Sequence, residues 1–540
     1  MSLQADLVLR GGTIVDGSGG EPFEADLAIA GGRIAAVGRS LDARATLELD
    51  VGGRAVAPGF INILSWAAET LLQDRRSQGN IRQGVTTEVF GEGESMGPLT
   101  PELREWLVAQ QGDLRYDVTW TTLAEFLDTL VARGVSPNVG SFVGATTVRI
   151  HEMGWGDARA TAAQLAAIGE RVREAMADGA LGVGSSLLYT PACFADTAEL
   201  IALAREAGRV DGLYISHIRN ESFALVEAIE ELLTIAVQAP ARSEVYHLKA
   251  AGRPYWPAIE DAIARLESAR ADGIPVTADM YPYAAGATGL DASMPPWVQE
   301  GGQEAWSARL RDPAIRRRLA AEMRAPGDDW ENELLNSGGA DGVQLVAFRT
   351  PALQRYVGRT VASVAAERGT SPEETIMDLV IEDASRCSAV YFSQSEDVVR
   401  RVAGLPWVSI GSDEGSYAAE GVFLNSKPHP RAYGSFARFV GPMTRDGTVP
   451  SLAEAVRRVT ALPADTLRLR DRGRLLPGLA ADVVVFDPAT IEDRATYDDP
   501  HRYAVGVDHV LVNGVLTLAD GEHTGASAGA VMRGPGWRGA

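Results

Sequence analysis

Short apolar stretches interrupted by paired glycines open the chain. "DLVLRGGTIVDG" from Asp6 and "DLAIAGGRIAAVG" from Asp26 read as β-strands, with Gly31-Gly32 supplying the positive φ that a tight hairpin turn requires. The same character returns near the other end, in "ADVVVFD" from Ala481 and "VDHVLVNGVLTLADG" from Val507, where Asn513-Gly514 is a strong hairpin signal. The two ends, residues 1–56 and 470–540, are predicted to share one β-sheet domain.

From 57 to 469 the pattern changes to short apolar strands alternating with amphipathic helices, the signature of a parallel sheet with crossover helices. The candidate strands are "GFINILSW", "TTEVFGEG", "NVGSFVG", "LGVGSSLLY", "LYISHIR", "EVYHLKA", "IPVTADMYPY", "SAVYFSQ" and "WVSIGSD". That is nine where eight close a barrel, so one is expected to lie elsewhere. Among the helices, Leu165, Ile168, Val172 and Met176 form one apolar stripe and read as core packing. Over residues 284–341 the rhythm is lost to a charged, Trp-bearing segment. It leaves from the C-terminal end of a strand, where barrel enzymes build their sites, and so reads as an inserted lid, with a peripheral decoration as the alternative.

Composition narrows the classes. The chain has 540 residues, 46% hydrophobic and 23% charged, enough for one large α/β domain and an accessory domain. A net charge of −22 argues against nucleic acid and anionic membranes as partners, and no apolar run approaches the length of a membrane span. Cys193 and Cys387 offer neither a disulfide framework nor a Cys-based zinc site. The first ten residues lack the features of a signal peptide, so the cytoplasm is the expected location.

There are seven histidines, and two of them, His217 in "LYISHIRNES" and His247 in "EVYHLKAAG", end successive strands. Parallel neighbours lie about 4.8 Å apart, which brings both imidazoles within reach of one ion. Glu92 and Glu94 flank Gly93 at the end of an earlier strand and offer oxygen ligands; solvated loop acids are the alternative. Asp413 ends the last apolar strand, either as a buried functional carboxylate or as a helix cap, while alternation is expected to send Glu414 to the other side.

These blocks are familiar together. "ADLVLRGGTIVDGSG" through "AVAPGFIN" resembles the N-terminal sheet and first barrel strand of the amidohydrolase superfamily. "GVTTEVFGEGESMGP", "SHIRNES", "HLKAAG", "TADMYPYAAG", "IGSDEGS", "HPRAYGSFARFVG" and "GLAADVVVFDP" then resemble, in order, the N-acyl-D-amino-acid deacylases, or D-aminoacylases, over nearly the whole chain. The resemblance implies an α/β fold: a zinc-holding (β/α)8 TIM-like barrel, a β-sheet domain from both termini, and a lid inserted after "YPY". It also implies that His217 and His247 are metal ligands, with Glu92 where the family typically has cysteine and Glu94 as the alternative. Asp413 then handles the proton of the attacking water. The resemblance also suggests Lys249 and Arg431 as the cations for the substrate carboxylate and Tyr281 and Tyr189 as groups that orient the amide, with structural roles for these four as the alternative.

The departure is in the first strand. Family members usually read "PGFID" followed by His-x-His, and the matching positions are Asn62, Leu64 and Trp66. Leucine has no lone pair and the indole nitrogen is only a donor, so neither ligates a metal. One zinc ion is expected, with Leu64 and Trp66 as an apolar wall and Trp66 lining the acyl pocket. The expected substrate is a small-molecule N-acyl amino acid, and a homo-oligomer is compatible with this reading. Another C–N hydrolase of the superfamily, such as a dipeptidase, cyclic amidase or carbamoyl hydrolase, and a non-catalytic binding protein on the same barrel are the alternatives.

Overall fold

Eight short strands with apolar side chains on both faces form the centre of the computed structural model, which describes residues 3–327 and 329–539. In order they are Phe60–Asn62, Val85–Phe90, Asn138–Ser141 continued by Val143–Gly144, Gly182–Ser186, Leu213–His217, Arg242–Val245, Val276–Met280 and Val408–Ile410. Each pairs in parallel with the next. Closure between the eighth and the first comes from a parallel bridge, Ser65 to Glu414, and from the Ser412 and Asp413 N–H groups donating to the Leu64 carbonyl.

Residue parity explains the two-faced burial. Val276, Ala278 and Met280 face outward to the helices, while Ile61, Ile63, Val89, Phe142, Leu213, Ile215 and Tyr246 fill the barrel interior. The outer helices bury one stripe each. In Ala162–Ala177 the predicted Ile168, Val172 and Met176 are buried, joined by Ala175, whereas Leu165 is only half-buried.

Nine strands make the terminal sheet. Its order runs Glu522–His523, Val515–Ala519, Val507–Val512, Val483–Phe486, Ala55–Pro58, Leu3–Ile14, Phe23–Ala30 and Arg33–Gly38, with Ala43–Asp50 pairing alongside Leu3–Ile14. The two ends of the chain thus build one sheet, as their glycine-punctuated patterns require. The chain beyond it does not stay there: Met532 donates to the Val139 carbonyl and packs into the barrel interior.

The ninth candidate strand is the one that lies elsewhere. Ser388–Tyr391, from "SAVYFSQ", pairs antiparallel with Gly286–Gly289 on one side and Val343–Ala347 on the other, outside the barrel. The insertion therefore continues well past residue 341. It carries its own core, including Leu290, Trp306, Leu310, Leu345, Ile376 and Leu379, so it folds as a subdomain over the barrel mouth.

Candidate functional site

The loop after the second barrel strand is shaped by two glycines. Gly91 and Gly93 both have positive φ, and a Cβ on Gly93 would stand 2.6 Å from the Ser186 Cβ, while one on Gly91 would strike the Phe142 carbonyl oxygen. The turn they allow sends the Glu92 side chain inward and leaves Glu94 on the cavity wall.

Glu92, His217 and His247 come together with donor atoms all within 4.8 Å of one another, and all three are buried. Glu92 Oε1 is 3.1 Å from His217 Nδ1 and 3.0 Å from His247 Nε2. Burial by itself raises the Glu92 pKa, but hydrogen bonding and charge from the two histidines outweigh it and hold the carboxylate well below its usual range. Two imidazoles and one carboxylate are a zinc donor set, and His217 Nδ1, His247 Nε2 and Glu92 Oε1 converge on one point, so the cluster fits that ion.

A residue the sequence reading did not single out lies behind the cluster. Glu221 Oε1 is 3.1 Å from His247 Nδ1 and Glu221 Oε2 is 3.4 Å from His217 Nε2, so one carboxylate backs both rings. Its place four residues after His217, in the turn of "SHIRNES", was the available signal. Lys249 Nζ lies 2.7 Å from Glu221 and 2.8 Å from His247 Nδ1. Burial tends to strip the Lys249 proton, yet the Glu221 charge prevails and its pKa rises.

Asp413 stands across from Glu92, and its carboxyl is held at both oxygens. Arg431 donates to Oδ2 at 2.5 Å and the Trp66 indole to Oδ1 at 3.2 Å. Burial pushes the Asp413 pKa up against the lowering effect of Arg431. Asp413 and His247 both adopt positive φ, 51° and 36°, a conformation that non-glycine residues rarely hold without surrounding structure to enforce it. Strand alternation breaks at Asp413 as a result. Glu414 lines the same cavity and approaches Arg431 Nε at 3.7 Å, instead of pointing to the other side.

Trp66 also departs from expectation. It lines the cavity and is 44% exposed, but it is not only an apolar wall, since its indole N–H donates to Glu92 Oε2 at 3.0 Å as well as to Asp413. Leu64 is buried one position deeper on the same strand face, in the barrel interior. The Tyr281 ring lies 4.5 Å from the Arg431 guanidinium, and the Tyr189 ring 5.5 Å from that of His217.

Together these groups floor a cavity of about 470 Å³, roofed by lid residues that include Gly289, Asp291, Trp306 and Arg386. That is a typical size for a small-molecule site.

Comparison with known proteins places this arrangement among hydrolases. The amidohydrolase family matches residues 293–518. The D-aminoacylase of Alcaligenes xylosoxydans xylosoxydans is 33% identical over 531 residues, 98% of this chain and 97% of the relative. The N-acyl-D-glutamate deacylase of Bordetella bronchiseptica, solved with zinc and a phosphonate mimic of the tetrahedral intermediate, superposes with a TM-score of 0.79 at 31% identity, covering 98% of this chain and 100% of that one. A D-aminoacylase with a binuclear centre, in which one metal activates and the second attenuates, superposes with a TM-score of 0.80 at 31% identity over 98% and 99% of the two chains.

Proposed function

This chain belongs to the D-aminoacylase family of amidohydrolases, and from that premise we propose that it hydrolyses the amide bond of N-acyl-D-amino acids with one zinc ion held by Glu92, His217 and His247. The observation that carries the reading is the convergence of those three side chains at the cavity floor, opposite a carboxylate, Asp413, fixed at both oxygens.

Zinc in such a donor set supplies Lewis acidity, lowering the pKa of a water toward about 7 and polarising the amide carbonyl. The chain's own groups do the rest. Asp413 takes the proton of the attacking water and returns it to the leaving amine, held in place for both by Arg431 and Trp66. Glu221 fixes the orientation of the two imidazoles. Arg431 lines the cavity with its Nε no nearer than 3.7 Å to Glu414, and its position there supports a role in binding the substrate carboxylate with Lys249 alongside. Tyr281, between these two cations, and Tyr189, beside His217, orient the amide.

Among the described residues no helix is long and apolar enough to cross a membrane. Cys193 and Cys387 are free thiols, which suits a reducing compartment, and we place the protein in the cytoplasm.

Rates on matched N-acetyl-D- and N-acetyl-L-amino acids, dipeptides and hydantoins test the assignment. Turnover of the D-series above the others is the expected result. Preference for a dipeptide or a hydantoin would overturn it.

A further inference from the structure

The first barrel strand ends with an N–H group aimed between two carboxylates. Trp66 Nε1 is 3.0 Å from Glu92 Oε2 and 3.2 Å from Asp413 Oδ1. Glu92 and Asp413 are 5% and 8% exposed, so neither charge is solvated by bulk water. Their other oxygens are taken, by His217 and His247 on Glu92 and by Arg431 on Asp413. Among the described residues, no second side-chain donor reaches the two oxygens that face each other.

Like charges in a buried site need a positive partner between them, either a cation or the positive end of a dipole. An indole provides the dipole and cannot do more, because it has no lone pair to offer an ion. Leu64, buried beneath it on the same strand face, removes a ligand from the same side.

We propose that Trp66 is a positioning residue that stands in for a second cation. Its N–H holds Glu92 so that one oxygen is left for the zinc, holds Asp413 in place for proton transfer, and excludes a second ion. The proposal rests on the one-zinc reading above and adds a consequence: a second metal attenuates a D-aminoacylase relative, whereas excess zinc leaves this protein's rate unchanged.

The test compares the wild type, Trp66→Phe and the double variant Leu64→His/Trp66→His, each loaded with zinc, freed of excess and checked for folding by circular dichroism. Trp66 is 44% exposed, so phenylalanine deletes the N–H without emptying a core position. Zinc per chain, kcat, KM and the rate in about tenfold excess zinc are measured.

The wild type is expected to hold one zinc and to ignore the excess. Trp66→Phe is expected to keep one zinc and a KM within about twofold, while kcat falls about tenfold, the effect of losing one hydrogen bond to a charged group. The double variant is expected to hold two zinc ions and to slow in excess zinc. A Trp66→Phe variant with the wild-type kcat would overturn the positioning role and leave the one-zinc reading standing. A folded double variant that stays at one zinc would overturn the stand-in for a cation. Two zinc ions in the wild type would overturn the one-zinc reading itself.

Discussion

Glu92 is held between two glycines at positions that leave no room for a side chain, and its carboxylate reaches the two histidines from there. Glu92→Ala and His217→Ala are each expected to lose bound zinc and activity together, while Glu94→Ala keeps its zinc; metal content and rate of the three variants check this. Glu221→Gln keeps the shape but weakens the support behind both imidazoles. Zinc affinity is expected to fall about 10–100-fold, measured by competition with a chelator.

A pH effect comes from deeper in the barrel. Burial pushes the Glu244 carboxyl up to about 7, well above its ordinary value near 4.5. Between those values the folded chain holds a proton that the unfolded chain releases. The stability this proton contributes is full below about pH 4.5 and is lost as pH rises through about 7. Glu244→Gln cannot ionise, so its Tm is expected to exceed that of the wild type at pH 8 and to converge with it at pH 5. An equal difference at both pH values would contradict the assignment.

At the scale of elements, the closure of the barrel is a side-chain matter. Asn62 accepts from the Ser412 N–H at 2.8 Å through Oδ1, and through Nδ2 it donates to the Ser412 hydroxyl at 2.8 Å and to Glu88 at 2.9 Å. It ties the first strand to the last beside Asp413. Asn62→Ala leaves these buried groups unpaired and is expected to cost about 1–3 kcal/mol in denaturant unfolding and to lower kcat. Strand ends were the legible part of the site. His217 and His247 stood out by ending apolar runs, whereas the residues alone left Glu92 and Glu94 both open and the choice of Glu92 came from the family resemblance. Glu414 was placed on the wrong side because periodicity assumes regular backbone, and Asp413 leaves it with φ of 51°. Ser388–Tyr391 reads like a barrel strand since a short buried run looks the same whether its neighbours are parallel or antiparallel. The indole of Trp66 acts through contacts across the barrel, which no local pattern encodes, and Glu221 was marked only by its place four residues after His217.

Over the whole molecule, three parts that could be read separately meet at one mouth. Terminal strands at both ends of the chain complete one sheet, the barrel supplies the polar cluster, and the lid subdomain roofs the cavity. The tail ties sheet to barrel: Asn513 donates to the Ala528 carbonyl, and Met532, 6% exposed, seals the barrel interior at the third strand. Burying a methionine contributes about 1.5–3 kcal/mol, so removal of residues 527–540 is expected to destabilise the protein by at least about that amount in denaturant unfolding while the remaining folded chain still takes up zinc.

The central claim is hydrolysis that depends on a single zinc, and titration of metal-free protein with zinc tests it most directly, following release of a D-amino acid from its N-acetyl derivative. Activity is expected to be absent without metal, to rise linearly and to reach its plateau at one equivalent per chain. A plateau reached only at two equivalents, or full activity in the metal-free protein, would contradict the account.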